Sequence, residues 1–448
     1  MSSPEIALDV NEQIDRAPVG TLQWITLGLS LLVMILEGYD TFTVGYVGPQ
    51  IAAAFAVSPS RLGLVFTSGI IGSAAGYLIV GPIADRQGRR NLILAGTFAF
   101  GLVTLISVAA RSFETFVALR TLAGVALGIV LPNVVALVAE MAPARWRSLS
   151  VVILYSGFAI GSAVGGVLAA HLVPLLGWRS ILVAGGVAPI GLALVMWGVL
   201  PESIRFLALR DTNDPRLRRT LTRIAGPGRI PPNARFTFPG EATNRQPVMQ
   251  LFTGGRALPT LLIWTALSMN GAAITTLLFW IPTLTAKAGV SAGHGINFTV
   301  VLLLGGTLGA YAIGYSMDRM GAYRVLIPVH LCATLFIVVF GIFVQAASLP
   351  LGFLIGLALP GGTSGVQGLL ARLYPTFLRA TGIGWAVGVG RLAGIAAPLF
   401  TGLLLSRGSD PRTIIIFCAC LVLVTTASLT GMSRARHSRW AILAADAA

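Results

Sequence analysis

Twelve apolar runs, each about as long as a bilayer is thick, leave this chain few ways to fold. Six cover residues 22–47, 60–82, 91–110, 114–139, 148–174 and 178–200, and six more cover 259–285, 294–317, 323–346, 350–372, 379–406 and 411–432. A helix of about 20 residues crosses the hydrocarbon core, and a helix satisfies its own backbone polar groups where no water is present. Only 10% of the residues are charged and mean hydropathy is +0.83, whereas soluble domains carry about 25% charged residues. The expected fold class is an all-α polytopic membrane protein with twelve transmembrane helices.

The runs divide the chain. Residues 1–21 read as a polar N-terminal tail and 22–200 as a first six-helix bundle. Residues 201–258 are rich in Arg, Pro and Gly and read as a linker with short amphipathic helices, whose basic face suits anionic lipid. Residues 259–432 form a second six-helix bundle and 433–448 a C-terminal tail. No basic stretch precedes the first apolar run, so no cleavable leader is expected and the first helix itself directs insertion.

Basic residues set the topology. With the N-terminus inside, 23 Arg fall on the cytoplasmic side and 6 Arg or Lys on the other. Both termini are therefore expected in the cytoplasm of a cell whose inner membrane holds the chain. The net charge of +15 belongs to this alternation, not to a basic patch interleaved with aromatics, so nucleic acid is not an expected partner.

The halves repeat. Gly81-Pro-Ile-Ala-Asp85-Arg86-Gln-Gly88 after the second run matches Gly314-Tyr-Ser-Met-Asp318-Arg319-Met-Gly321 after the eighth, at an offset of 233. Pro143-Ala-Arg-Trp-Arg147 matches Pro375-Thr-Phe-Leu-Arg379 at an offset of 232. The repeat is thus parallel, a plan in which a site forms near the midplane between halves. Asp85, Arg86, Gly88 and Arg89, with Asp318 and Arg319 in the second half, are expected to form polar latches that open and close as the halves move.

Glu37 and Asp40 stand inside the first run and share one helix face. A charge at membrane depth costs about 2.5–3.5 kcal/mol on insertion scales, so such groups mark a substrate or proton path. Desolvation favours the protonated carboxyl, which is what a proton carrier needs. Asp40 is the first choice for that carrier, with Glu37 second or as its helper. Two arginines are also buried by sequence position: Arg120 in the fourth run and Arg391 halfway along the eleventh. A guanidinium stays charged and its fork matches a carboxylate. Arg391 is favoured for the substrate carboxylate and Arg120 for an acid partner, with both retained as substrate candidates. A structural ion pair between Arg120 and the acids is the plainer alternative.

Asn270, Thr275, Thr276, Phe279 and Trp280 on the seventh run, and Thr363, Ser364 and Gln367 on the tenth, put polar groups beside aromatics. That mixture suits a flat hydroxylated ring. Trp280 near a run end also fits an interfacial anchor. Gly157, Gly161 and Gly165 recur every four residues and read as a close helix contact. Gly388-Val-Gly-Arg-Leu-Ala393 copies a dinucleotide fingerprint, but it lies within an apolar run with no strand before it. No phosphate loop exists, because Lys287 is the only lysine. Three cysteines in the runs read as small packing residues, and the four histidines form no metal or catalytic set. Neither a cofactor nor a metal is expected, and nothing points to an enzyme.

These motifs resemble the major facilitator superfamily over nearly the whole chain, with Pro201-Glu-Ser-Ile-Arg-Phe-Leu after the sixth run fitting as well. Within it the chain looks most like the aromatic acid:proton symporters. The residues carrying that likeness are Glu37-Gly-Tyr-Asp40, Arg120 through Gly124 and Gly128 to Pro132-Asn133, Ala139-Glu140, Gly157 to Gly166, and Tyr374-Pro375 through Gly382 to Gly390-Arg391. The family has Asp where Glu37 stands. The resemblance implies two parallel six-helix halves working as a monomer in the lipid bilayer, importing a small aromatic carboxylate such as a hydroxybenzoate together with protons. A proton-driven exporter of drugs or metabolites shares the fold and latch motif, and a non-transporting sensor of aromatic acids is a further alternative.

Overall fold

The computed structural model describes residues 6–226, 229–231, 234–237, 248–374 and 376–445. Among the described residues, twelve helices are long and apolar enough to cross a membrane. In chain order, strand β1 (Ile6–Asp9) and helix α1 (Val10–Arg16) precede α2 (Thr21–Tyr46), the first span, which is followed by the short α3 (Gly48–Ala54). The other spans of the first half are α4 (Pro59–Gln87), α5 (Arg89–Val108), α6 (Phe113–Met141), α7 (Ala144–Leu176) and α8 (Arg179–Val199). Helices α9 (Ile204–Arg210) and α10 (Pro215–Ala225) and strand β2 (Ala234–Thr237) follow. The second half comprises α11 (Ala257–Lys287), α12 (Ala292–Met320), α13 (Ala322–Ile342), α14 (Leu349–Leu373), α15 (Thr376–Ser406) and α16 (Pro411–Ala445).

Two compact units emerge, and they cut across the sequence halves. One contains Met1–Thr41, Ser68–Gly165 and Arg179–Ala242. The other contains Phe42–Thr67, Gly166–Trp178 and Thr243–Ala448, so it holds one end of α2, α4 and α7 as well as the second half.

Within the first unit, glycines set the helix spacing. A Cβ on Gly38 would overlap the Phe158 carbonyl, and one on Gly161 would overlap the Ile35 carbonyl, so α2 and α7 meet backbone to backbone. Gly76 and Gly128 do the same for α4 and α6. The second unit repeats both contacts 233 residues on. Gly309 meets Gly361 between α12 and α14 as Gly76 meets Gly128, and Gly390 packs on Leu267 as Gly157 packs on Met34. Close approach through small residues is how helices associate where lipid gives no hydrophobic driving force. The repeat also fixes two helix junctions. Gly88 (φ +84°) turns α4 into α5, and Gly321 (φ +89°) turns α12 into α13. Both lie in a region that disfavours any side chain.

The described parts of the N-terminal tail and the linker hold more regular structure than their polarity implies. β1 pairs in parallel with β2, Ile6 opposite Ala234 through Asp9 opposite Thr237. Asp9 caps α1 by accepting from the Asn11 amide at 2.8 Å. Val10 and Ile14 of α1 are buried with Leu217, Leu221, Ile224 and Phe236 of the linker. Arg145, just inside α7, clamps the tail by donating to the carbonyls of Asp15 (2.5 Å) and Ala17 (2.6 Å). Of the cysteines, Cys418 is buried in its expected packing role, but Cys332 and Cys420 are exposed on their helices.

In the second unit, one end of the first half's helices is sealed onto the second half's. Phe279 of α11 stacks on Phe42 (centroids 5.9 Å) and on Phe66 (5.5 Å), and Trp280 meets Phe66 edge-on at 5.0 Å. The Ser60 amide donates to Ser406 Oγ at 2.8 Å, and Thr67 Oγ1 donates to the Ile395 carbonyl at 3.1 Å. Gly63 and Gly402 let α4 and α15 touch backbone to backbone.

Candidate functional site

Three consecutive residues of α2 reach three other spans. Gly38 seats α2 on α7, as described above. The Tyr39 hydroxyl donates to the Ile181 carbonyl of α8 at 2.8 Å. Asp40 faces α6 and takes a two-pronged bond from Arg120: Nη1 donates to Oδ1 at 2.9 Å and Nη2 donates to Oδ2. The helical turn of about 100° per residue spreads successive side chains in this way. Asp40 is 4% exposed and Arg120 is 3% exposed. A pair this deep is held by its geometry, because taking two ions out of water offsets most of their attraction. Glu37, one turn earlier, is half-buried and has interactions of its own.

The repeat makes the asymmetry plain. The positions 233 residues after Glu37, Asp40 and Arg120 are Asn270, Ala273 and Phe353. The position 233 before Arg391 is Phe158. The acid pair therefore belongs to the first half alone, and the second arginine to the second half alone. Arg391 lies at the midpoint of α15 and is exposed. Gln367 is exposed on α14.

Asn270 is fully buried in a polar network absent from the sequence reading. Its Nδ2 donates to Thr363 Oγ1 at 3.0 Å and faces His330 Nε2 at 3.2 Å. His330 Nδ1 lies 2.8 Å from the Leu326 carbonyl, which can only accept. The ring is therefore protonated on Nδ1, and Nε2 accepts from Asn270. Both amide hydrogens are spent, and Asn270 Oδ1 is left as a buried acceptor with no partner among the described residues. Trp280 is not an interfacial anchor: it is 0% exposed inside the aromatic cluster, and its Nε1 and Thr283 Oγ1 are likewise buried without partners.

The residues expected to form latches differ in their surroundings. The Asp85 side chain lies outside the described residues. Arg86 is exposed, while Arg89 forms an ion pair with Glu140 of α6. Glu140 also accepts from Ser203 Oγ at 2.5 Å. Glu202 Oε1 accepts from the backbone amides of Arg89 (3.0 Å), Arg90 (3.0 Å) and Ser203 (2.8 Å), capping the start of α5. A carboxylate there meets free N–H groups and the positive helix end. Gly88 leaves room for it, since a Cβ would stand 2.5 Å from Glu202 Oε2. In the second half Asp318 and Arg319 are exposed, and the Arg319 guanidinium lies 4.4 Å over the Tyr315 ring. The positions equivalent to Glu140 and Glu202 are Leu373 and Ala435, so these two carboxylates have no counterpart in the second half.

Twelve spans in two parallel repeats, with a buried ion pair in one and an exposed mid-span arginine in the other, are the build of a membrane transporter. Residues 30–398 match the Major Facilitator Superfamily, and the chain belongs to it. The chain is 35% identical to the gallate transporter of Pseudomonas putida, over 90% of each protein. It is also 35% identical to the 4-hydroxybenzoate transporter PcaK of Pseudomonas aeruginosa, over 91% of this chain and 93% of that protein. Among solved structures, the xylose transporter XylE from E. coli superimposes with a TM-score of 0.70 over 91% of this chain and 97% of that one, and at 17% identity it speaks to the fold alone.

Proposed function

We propose that this transporter imports a small hydroxylated aromatic carboxylate together with protons, by alternating access of its two six-helix halves. The observation that carries the proposal is the buried Asp40–Arg120 pair with Glu37 one turn away. In this reading Asp40 is the proton carrier and Glu37 tunes it. Protonating Asp40 cancels its charge and loosens Arg120, so the pair opens and closes with the proton.

Arg391 holds the substrate carboxylate. A charged arginine halfway along a span is too costly to face lipid, so its exposed side chain lies on an aqueous path. Arg120 is then the partner of the acid, not of the substrate. Gln367 and the Asn270 acceptor supply polar contacts for ring hydroxyls. Both relatives named above carry hydroxylated aromatic acids by their names, which supports this substrate class.

Both termini lie in the cytoplasm, and the aromatic seal around Phe279 closes the outer end. It must part to admit substrate. The latch of Arg89, Glu140 and Glu202, with Asp85 and Arg86, works at the inner end of the first half, and Asp318 and Arg319 at that of the second. Each chain carries the acid pair and Arg391, so a monomer in the bilayer suffices.

Uptake of labelled gallate, 4-hydroxybenzoate and benzoate by cells making the protein, with and without a protonophore, tests the proposal. Accumulation of a hydroxylated acid that the protonophore abolishes is expected. Extrusion without uptake would replace it with an exporter.

A further inference from the structure

The linker carries more arginine than its folding uses. Helix α10 buries Leu217, Thr220, Leu221 and Ile224 and turns Arg216, Arg219 and Arg223 outward on the opposite face. Arg218 is committed inward: its guanidinium donates to the carbonyls of Pro231 (2.9 Å) and Ala234 (2.6 Å) and lies 5.4 Å over the Phe236 ring. Arg216, Arg219 and Arg223 form no ion pair with any described residue. The carboxylates nearest in sequence accept from backbone amides and form no ion pair with these arginines. Asp214 accepts from the Arg216 amide, Asp211 from the Asn213 amide, and Glu202 caps α5.

These three arginines line one wall of a groove whose other wall is Gly198 to Pro201, the last turn of a membrane span and the residues after it. Gly198 leaves that wall open, because a Cβ there would meet nothing. Directly along α8 from the groove, Leu194, Val195 and Trp197 are exposed, Trp197 to 71%. An apolar track on a spanning helix thus runs into a groove at the helix end where three guanidinium groups have no ion-pair partner among the described residues.

We infer that this groove binds the headgroup of an anionic phospholipid, with its acyl chain along the Leu194–Trp197 face of α8. The guanidinium fork matches phosphate oxygens. The adjoining apolar face distinguishes a lipid from a soluble phosphate. The site depends only on the chain's being membrane-spanning, so it stands apart from the transport proposal.

Native mass spectrometry of the delipidated full chain in neutral detergent tests it, titrating phosphatidylglycerol, phosphatidylcholine and glycerol phosphate. Wild type is expected to hold phosphatidylglycerol in preference to phosphatidylcholine. Arg216→Gln/Arg219→Gln/Arg223→Gln is expected to lose about a hundredfold in affinity for phosphatidylglycerol, roughly fivefold for each arginine. The control Arg407→Gln/Arg412→Gln, an exposed arginine just after α15 and another in the first turn of α16, is expected to bind as wild type does. Should the triple variant fail to fold, Arg219→Gln alone is read for its fivefold loss. Unchanged phosphatidylglycerol binding in the variant, equal binding of phosphatidylcholine by wild type, or displacement by equimolar glycerol phosphate would each overturn the inference. The last outcome would mark a soluble-phosphate site.

Discussion

Asp40 and Arg120, 80 residues apart in sequence, form a two-pronged ion pair between the first and fourth spans with both side chains buried. Such a pair is sensitive to losing one member and tolerant of losing both. Arg120→Ala strands a buried carboxylate and is expected to lower stability by about 3–5 kcal/mol. Asp40→Leu/Arg120→Met is expected to return to within about 2 kcal/mol of wild type, because an apolar pair removes the desolvation cost. Thermal unfolding in detergent measures both. The double variant, folded but without its acid, is expected to show no proton-driven accumulation. A double variant as unstable as Arg120→Ala would show that the pair's attraction, not its isolation from water, sets the energetics.

The α2–α7 contact leaves no room at Gly38 or Gly161. Gly38→Ala and Gly161→Ala each force a methyl into a facing carbonyl and are expected to cost about 1–3 kcal/mol. Gly191→Ala on α8, where a Cβ meets nothing, is the control and is expected to be neutral or slightly stabilising. Equal effects at all three sites in the same unfolding assay would contradict the close approach of the helices.

The contacts around Phe279 give a direct test of the proposed alternating access. Ser60 and Ser406 touch there through the Ser60 amide. Ser60→Cys/Ser406→Cys, made in a chain with Cys332, Cys418 and Cys420 replaced, is expected to cross-link on oxidation and stop uptake. Reductant is expected to restore it. Full uptake by the oxidised, cross-linked protein would mean that uptake does not need this end to open.

Glu202 caps α5 through three backbone amides. Glu202→Ala is expected to cost about 1–2 kcal/mol and Glu202→Gln less, since an amide oxygen still accepts but brings no charge to the helix end. If the cap is also part of the latch, the initial rate of uptake falls further than the surface level of the protein. A rate that merely follows surface level would leave Glu202 a structural cap.

The spans were legible because hydropathy is a property of a run, read without knowing what each helix faces. The acid pair was legible for a related reason: charges within apolar runs are few, and Asp40 and Arg120 had few possible partners. The junction between α4 and α5 was only half legible. Gly81 to Arg90 marks the turn, but the carboxylates that bind Arg89 and cap α5 are Glu140 and Glu202, from the ends of the fourth and sixth spans. Glu202 carried a usable signal, since Pro201-Glu-Ser203 holds the Ser that caps α9. His330 gave none. A single histidine in an apolar run acquires its meaning only when helix rotation brings Asn270 and Thr363 to it. The paired strands β1 and β2 were missed because four-residue strands joined across more than 200 residues leave no periodic trace.

The network around His330 can be tested without disturbing the acid pair. His330→Phe removes the acceptor for Asn270 Nδ2 and is expected to cost about 1–3 kcal/mol through an unmet buried donor. It also frees the Asn270 amide to turn. If the Oδ1 acceptor reads ring hydroxyls, the preference for 4-hydroxybenzoate over benzoate weakens in competition uptake. An unchanged preference would confine the network to packing.

The most direct measurement is uptake of labelled 4-hydroxybenzoate into proteoliposomes under an imposed pH gradient, acid outside, comparing wild type with Asp40→Asn. Wild type is expected to accumulate the acid above its external concentration and to lose the gain when a protonophore is added. Asp40→Asn is expected to exchange labelled for unlabelled substrate across the membrane but not to accumulate it. Gradient-driven accumulation by Asp40→Asn at the wild-type level would contradict the role given to this carboxylate.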